Sequence, residues 1–342
     1  MPINTLNFRK SSDNKIRVIH NGKLYDITNF SSNHPGGQEI LQKHSEQDVT
    51  LLMKNETGIS GHKHSRAAYD ILKKYYVGDA TDVNKNGHFH TNLEEKEDLV
   101  DWNKPLFHQV GFLGENYHEW VHHPVEKRLR LFSYDLFEFF NSSPWWMVPI
   151  YWIPISILLI YFSHSYLTQQ PEYIFIVGLF DFKGIEINGS ALPIIITMGI
   201  LLWSLVEYVI HRWVFHVKPP SWSPWLIRLH FLFHGQHHKA PMDKSKLVFP
   251  QLPASFLASQ ILLIYCLLLP TGTALALFAG TIIGYMFYDL THYYLHHGTP
   301  SLTYYKSLKT YHMKHHFNDH STGFGISSKL WDYPFKTLSS CD

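Results

Sequence analysis

Four long apolar segments constrain the fold of this 342-residue chain more than any other feature. About 20 apolar residues cross the hydrocarbon core of a bilayer as a helix, and each segment is close to that length. All four follow residue 140, whereas residues 1–130 are polar and charged. The segments cover residues 144–163, 191–210, 254–270 and 273–289. The sequence therefore predicts an all-α membrane domain with four spans.

Basic residues flank the predicted spans unevenly. Lys and Arg side chains precede the first span, lie between the second and third, and follow the fourth. The loop between the first two spans holds only Lys183 as a basic residue. Because basic loops mark the cytosolic side of a membrane protein, we expect a multi-pass protein with both termini in the cytosol.

Histidines cluster at the predicted cytosolic ends of these segments. Thirteen of the 25 histidines lie between His211 and His320, and neutral imidazole is the commonest side-chain ligand for transition metals. Helical residues at i, i+3 and i+4 share one face, and three clusters have this spacing. The fourth pair, His211 and His216, lies about 140° apart on an ideal helix, so it needs a helix end or a bend.

Ten histidines have these spacings, which is too many for one ion. They are His211, His216, His234, His237, His238, His292, His296, His312, His315 and His316. The sequence therefore predicts two metal ions in a cytosolic cap on the spans.

Other residues near the clusters are candidates for hydrogen bonding to the ligands or for contact with the substrate. A metal-bound histidine usually donates its second N–H to a carboxylate or a carbonyl, and Glu207, Asp289 and Asp319 are placed to accept. His297 and His320 break the ligand spacing, and His230, one turn before His234, could be a ligand. We assign these three to the surroundings of the metals. His118 and His122, outside the clusters, are interpreted as structural.

Composition excludes several classes of protein. The formal charge of +1 gives no sign of nucleic-acid binding. Two cysteines, Cys266 and Cys341, exclude a disulfide scaffold and a cysteine-rich zinc site.

The N-terminal part carries a second, independent motif. His34-Pro35-Gly36-Gly37 follows a strand-like run, residues 23–30, and His62 and His64 precede a helix-like stretch. Over roughly residues 10–80 the chain resembles a cytochrome b5 domain. That resemblance implies haem b with His34 as one axial ligand and His64 as the other, His62 being the alternative. Two axial imidazoles leave the iron no open position, so such a haem transfers electrons.

The two halves together resemble one family, the fatty acid 2-hydroxylases, which fuse a cytochrome b5 domain to a four-span membrane hydroxylase. Beyond the histidine clusters, the resemblance rests on residues 98–102 (DLVDW), 119–124 (EWVHHP) and 330–332 (LWD). It implies an α+β haem domain at 8–80, a linker at 81–120 and a membrane hydroxylase domain at 121–342. It also implies the same ten histidine ligands, and residence in the endoplasmic reticulum membrane.

The implied activity sets the cofactors and partners. Hydroxylating C2 of a long acyl chain breaks a strong C–H bond, and zinc has no redox chemistry with which to activate O2. We expect iron in the active enzyme, although a purified sample can carry zinc. Electrons would come from a cytochrome b5 reductase-type donor through the fused haem. The fatty acyl substrate, destined for sphingolipids, is a free acid, an acyl-CoA or a ceramide.

Two alternatives remain at this stage. Sterol oxidases and lipid desaturases share the histidine clusters, and only the product separates them from a hydroxylase. A non-enzymatic membrane protein that binds haem and metal is the other alternative. It predicts flexible, exposed histidine tracts.

Overall fold

The structure is a computed structural model that describes residues 15–34, 36–54, 64, 66–80, 99–174 and 184–339. Its N-terminal unit joins a four-stranded sheet to three short helices. The strands are β1 (Arg17–His20), β2 (Lys23–Asp26), β3 (Gln47–Asp48) and β4 (Tyr76–Asp79). The helices are α1 (Gln38–Lys43), α2 (Thr50–Lys54) and α3 (Arg66–Lys73).

The sheet of this unit has the order β3-β1-β2-β4. Strands β1 and β2 form an antiparallel hairpin around Asn21 and Gly22, whose φ angles of 49° and 72° suit the tight turn that an Asn-Gly pair favours. Val18, Tyr25 and Leu72 belong to one buried cluster beneath the sheet. The α+β class predicted for the N-terminal domain is confirmed.

The chain after residue 98 packs into the C-terminal domain. Helices α4 (Leu106–Val110) and α5 (Tyr117–Val121) bury Leu106, Tyr117 and Trp120 in one apolar cluster with Phe231. Sequence analysis assigned residues 81–120 to a linker, yet the part from residue 99 onward has a buried core. We therefore propose that the C-terminal domain begins near residue 99, because its apolar side chains have their burial partners there.

Four helices are long and apolar enough to cross a membrane, as predicted. They are α7 (Met147–Gln169), α8 (Leu192–Ile210), α11 (Gln251–Leu268) and α12 (Thr271–His297). In the apolar window of α12, 61% of the residues are buried, against 17–22% in the other three. Helix α12 is therefore central, and it packs against α7, α8 and α11.

Helices α8 and α12 touch backbone to backbone. A Cβ atom on Gly280 would lie 2.1 Å from the carbonyl oxygen of Ile196, and one on Gly199 would lie 2.2 Å from that of Leu277. Only glycine fits at such a contact, and small residues allow membrane helices to approach closely. This crossing sets the spacing between the two helices whose ends carry histidine clusters.

Shorter elements complete the C-terminal domain. At one end of the spans, β5 (Glu172–Ile174) pairs with β6 (Ile185–Ile187), a hairpin that sequence analysis did not predict. At the other end, the short helices and α13 form the expected cap. These helices are α6 (Asp135–Phe140), α9 (Pro224–His230), α10 (Gln236–Lys239) and α13 (Thr303–Phe317).

Candidate metal centre and haem site

Two π-helical turns aim the first two histidine clusters inward. Helix α8 continues into a π-helical turn, His211–Phe215, in which the N–H of His216 donates to the carbonyl of His211 at 3.1 Å. Hydrogen bonds in a π-helix join residues five apart, so it brings His211 and His216 onto one face. This is the bend that their spacing requires. A second π-helical turn, Phe231–Gly235, joins α9 to α10.

The ten histidines predicted as ligands lie in two groups of five. Site 1 consists of His211, His216, His234, His238 and His315, and site 2 consists of His237, His292, His296, His312 and His316. Each group draws on three or more helical segments. Neighbouring histidines of one cluster serve different sites, as His237 and His238 do.

The spacing of the ring nitrogens fits one ion in each group. Neighbouring Nε2 atoms lie 3.0–3.2 Å apart in site 1 and 2.9–3.1 Å apart in site 2. Two ligands about 2.1 Å from a metal and at right angles lie about 3.0 Å apart. The rings of His238 and His316, from different sites, have centroids only 4.4 Å apart. The two sites therefore adjoin.

Burial keeps the imidazoles neutral, which is the form that binds metal. The pKa values of His234, His237 and His238 lie well below the usual value of 6.5 because burial removes the hydration of the charged form and neighbouring rings would repel it. His312 and His316 are shifted in the same direction for the same reasons.

The C-terminal loop orients two ligands of site 1. The Nδ1–H of His211 donates to the carbonyl of Phe324 at 2.6 Å, and that of His315 donates to the carbonyl of Thr322 at 2.7 Å. Each bond leaves Nε2 free to bind a metal. The loop itself is held by Glu207, which accepts from the backbone N–H groups of Ile326 and Ser327 at 3.1 and 2.8 Å.

Two of the predicted carboxylate partners, Glu207 and Asp319, bind the loop that accepts hydrogen bonds from His211 and His315. Glu207 holds the loop that carries the acceptor for His211, and Asp319 accepts from the hydroxyl of Thr322 at 3.0 Å. Asp289 accepts from Tyr285 at 3.1 Å and from the backbone of Phe249. Glu207 and His211 lie one turn apart on the same face, so both side chains reach the loop instead of each other.

The three histidines assigned to the surroundings lie outside both groups of five. Nδ1 of His230 accepts from the hydroxyl of Tyr117 at 2.6 Å, and His297 packs on Tyr293. His320 stacks on His122, with ring centroids 3.7 Å apart and planes within 14° of parallel.

His118 and His122, which were interpreted as structural, lie close to site 1. Their i, i+4 spacing is a ligand signal that we set aside, and the structure groups them with His320 next to site 1. The nitrogen lone pairs lie in the ring planes, so the parallel rings of His122 and His320 cannot both point at one ion. Burial, reinforced by His320, lowers the pKa of His122 to about 3.

The predicted haem ligands His34 and His64 face each other in the N-terminal unit. Their ring centroids are 6.4 Å apart, with planes 27° from parallel. An iron between them, about 2 Å from each nitrogen, requires about 6 Å. Gly36 leaves the space that His34 needs, because a Cβ there would lie 2.9 Å from the ring. A cavity of about 540 Å³ surrounds both histidines, and these residues therefore fit a haem. His62 lies outside the described residues.

An apolar cavity of about 240 Å³ reaches both metal sites. Its walls include Phe137, Phe140 and Phe233, and it is bounded by His234 of site 1 and His292 of site 2. A site of this kind, largely apolar with a few polar groups, is typical of small-molecule binding.

Comparisons with known proteins agree with both halves. Residues 196–337 match the fatty acid hydroxylase family, and residues 5–81 match the cytochrome b5-like haem/steroid binding domain. Fatty acid 2-hydroxylase of Rattus norvegicus is 43% identical over 94% of this chain and 90% of its own length. The human fatty acid 2-hydroxylase is 41% identical over 94% of this chain and 91% of its own length.

The chain belongs to the fatty acid 2-hydroxylases. A ceramide very long chain fatty acid hydroxylase of Saccharomyces cerevisiae is 30% identical over 95% of this hydroxylase and 90% of its own length. A solved structure, described as full-length scs7p with only the hydroxylase domain visible, is similar at 29% identity and a TM-score of 0.61. The similarity covers 71% of this chain and 86% of the solved chain.

Replacing His296 by Ala should remove the metal from site 2. His296 is buried with its Nε2 2.9 Å from that of His312, whereas its neighbour His297 lies outside both groups. Metal analysis of the purified full-length protein should fall from about two ions per chain to about one in His296→Ala. The matched control His297→Ala should keep both ions. Equal metal content in the two variants would contradict the assignment.

Replacing Glu207 by Ala should weaken metal binding at site 1 specifically. The loop that orients His211 and His315 would lose its anchor, and loss of such indirect support typically costs about 10–100-fold in metal affinity. Competition with a chelator should show that one ion per chain is bound more weakly and that the other is bound with wild-type affinity. Glu207→Gln keeps an acceptor oxygen and should therefore lose less metal affinity than Glu207→Ala. An equal loss of affinity for both ions would contradict this role of Glu207.

Proposed function

We propose that this protein hydroxylates C2 of the long acyl chains of sphingolipids, using two iron ions held by the ten histidines and electrons from the fused haem. The observation that carries the proposal is the apolar cavity between His234 and His292, which allows a lipid chain to reach both metal sites. Relatives named as fatty acid 2-hydroxylases and dihydroceramide fatty acyl 2-hydroxylases support the substrate class.

The overall reaction consumes O2, two electrons and two protons, places one oxygen atom on C2 and releases the other as water. When bound, the two iron ions would supply the O2 activation that imidazole cannot perform. Five imidazoles for each ion exceed the four ligands of a structural zinc site. A group of five histidines would hold each ion, and the adjoining cavity would admit a reactant to it.

The residues around the cavity bind and orient the acyl chain. Phe137, Phe140 and Phe233 exclude water from the reacting carbon. At the polar side of the cavity, Asn141 and Gln236 exchange two hydrogen bonds of 3.2 Å each, so their amides are fixed. The ammonium group of Lys246 is bound to the carboxylate of Glu138. These groups form a polar end against which the head of a lipid would be positioned.

The membrane location is part of the proposal. The four membrane-length helices support a membrane protein, and the distribution of Lys and Arg supports cytosolic metal sites. The endoplasmic reticulum membrane is the location that the family resemblance implies. Haem held by His34 and His64 would be bound by two imidazoles, a ligand pair typical of electron-transfer haems. It would therefore pass single electrons from a reductase and not bind O2.

Lipid analysis in cells that lack their own fatty acid hydroxylase tests this function. Expression of the wild-type chain should add 2-hydroxy acyl chains to sphingolipids. His234→Ala should abolish the product and keep the haem spectrum, whereas His34→Ala should lose both. His164→Ala, at an exposed position of α7, serves as the control and should behave as wild type. New double bonds or altered sterols in place of 2-hydroxy chains would overturn the proposal.

A further inference from the structure

The haem cavity is closed by residues from outside the haem domain. Besides His34 and His64, its lining includes residues 124–126, residues 241–242 and part of α13. The hydroxyl of Tyr75, in the haem domain, donates a hydrogen bond to the carboxylate of Glu126. Burial, together with this bond, raises the pKa of Tyr75, so the hydroxyl keeps its proton. The two domains therefore meet at the haem cavity.

Helix α13 has two functional faces. His312, His315 and His316 point to the metal sites, and four other residues of the helix line the haem cavity. These four are Thr310, Met313, Lys314 and Phe317. At about 100° per residue, the centres of the two faces lie roughly 150° apart around the helix.

We propose that α13 is the electron-entry helix, with its face of Thr310, Met313, Lys314 and Phe317 docking the haem domain. The inference rests on the proposed function, since it assumes that the haem reduces the metal centre. A helix with its side chains is about 10 Å across, so this docking places the haem one helix away from the ligands. Each transfer oxidises one ferrous haem and reduces one metal ion by one electron. A flavin-dependent NAD(P)H reductase re-reduces the haem, and two transfers serve each O2.

Lys314 is the charged residue of the docking face. It is half-buried at the wall of the haem cavity, and haem b carries two propionate carboxylates. An ammonium group near a carboxylate is attracted to it, most strongly where water is partly excluded. Lys314 is therefore a positioning residue, which acts by holding the haem edge against α13.

Anaerobic flash reduction of the haem in the full-length, haem- and metal-loaded protein tests the docking face. The absorbance of the haem reports its reoxidation as the electron leaves for the metal ions. Lys314→Glu should slow this step at least 10-fold, with unchanged haem spectrum and metal content. Lys306→Glu, at an exposed position of the same helix outside the cavity, should keep the wild-type rate. If Lys314→Glu does not fold, Lys314→Met removes the charge alone and should also slow the step. Wild-type rates in the folded Lys314 variants would overturn the proposal.

A second measurement does not depend on electron transfer. A photoreactive benzoylphenylalanine in place of Phe317 should cross-link to peptides from residues 16–80, whereas the same group in place of Phe287, exposed on α12, should not. Normal 2-hydroxylation without these cross-links would contradict the docking of the haem domain on this face, and it would still agree with the proposed function. Cross-links from the Phe317 variant, together with a wild-type protein that makes no 2-hydroxy product, would support the docking face and overturn the proposed function.

Discussion

The convergence of ten imidazoles, nine buried and that of His216 half-buried, is the constraint on which the rest of the structure depends. Their Nε2 atoms face one another about 3 Å apart in two groups, and burial prevents protonation from occupying the lone pairs. Metal ions would satisfy these lone pairs without protonating the rings. The backbone contact at Gly199 and Gly280, the two π-helical turns and the C-terminal loop all serve to hold this geometry.

Much of this arrangement could be predicted because it is local in sequence. The four spans follow from apolar length, and the ten histidines from helical spacing. The division of His237 and His238 between different sites could not be predicted, because spacing defines a helix face and not the helices that it meets. The carbonyl acceptor of His211 comes from Phe324, 113 residues away. The i, i+4 spacing of His118 and His122 is present in the sequence, whereas their grouping with His320 could not be predicted from it.

In the proposed arrangement, one helix, α13, would lie between the haem and the metal sites. Residues 99–121 are part of the C-terminal core, and the neighbouring segment 124–126 reaches the haem cavity. Fusion of the two domains raises the effective concentration of the donor, because docking becomes an intramolecular event. Under the proposed function, a small contact surface that includes the hydrogen bond between Tyr75 and Glu126 would then be sufficient for repeated electron transfer.

X-ray absorption at the metal edge of the purified protein tests the two imidazole cages most directly. We expect an average of about five imidazole nitrogens per ion at about 2.1 Å, with the multiple-scattering features of histidine rings. A four-coordinate average, or a first shell made mainly of oxygen, would show that the ten histidines do not act as two five-ligand sites.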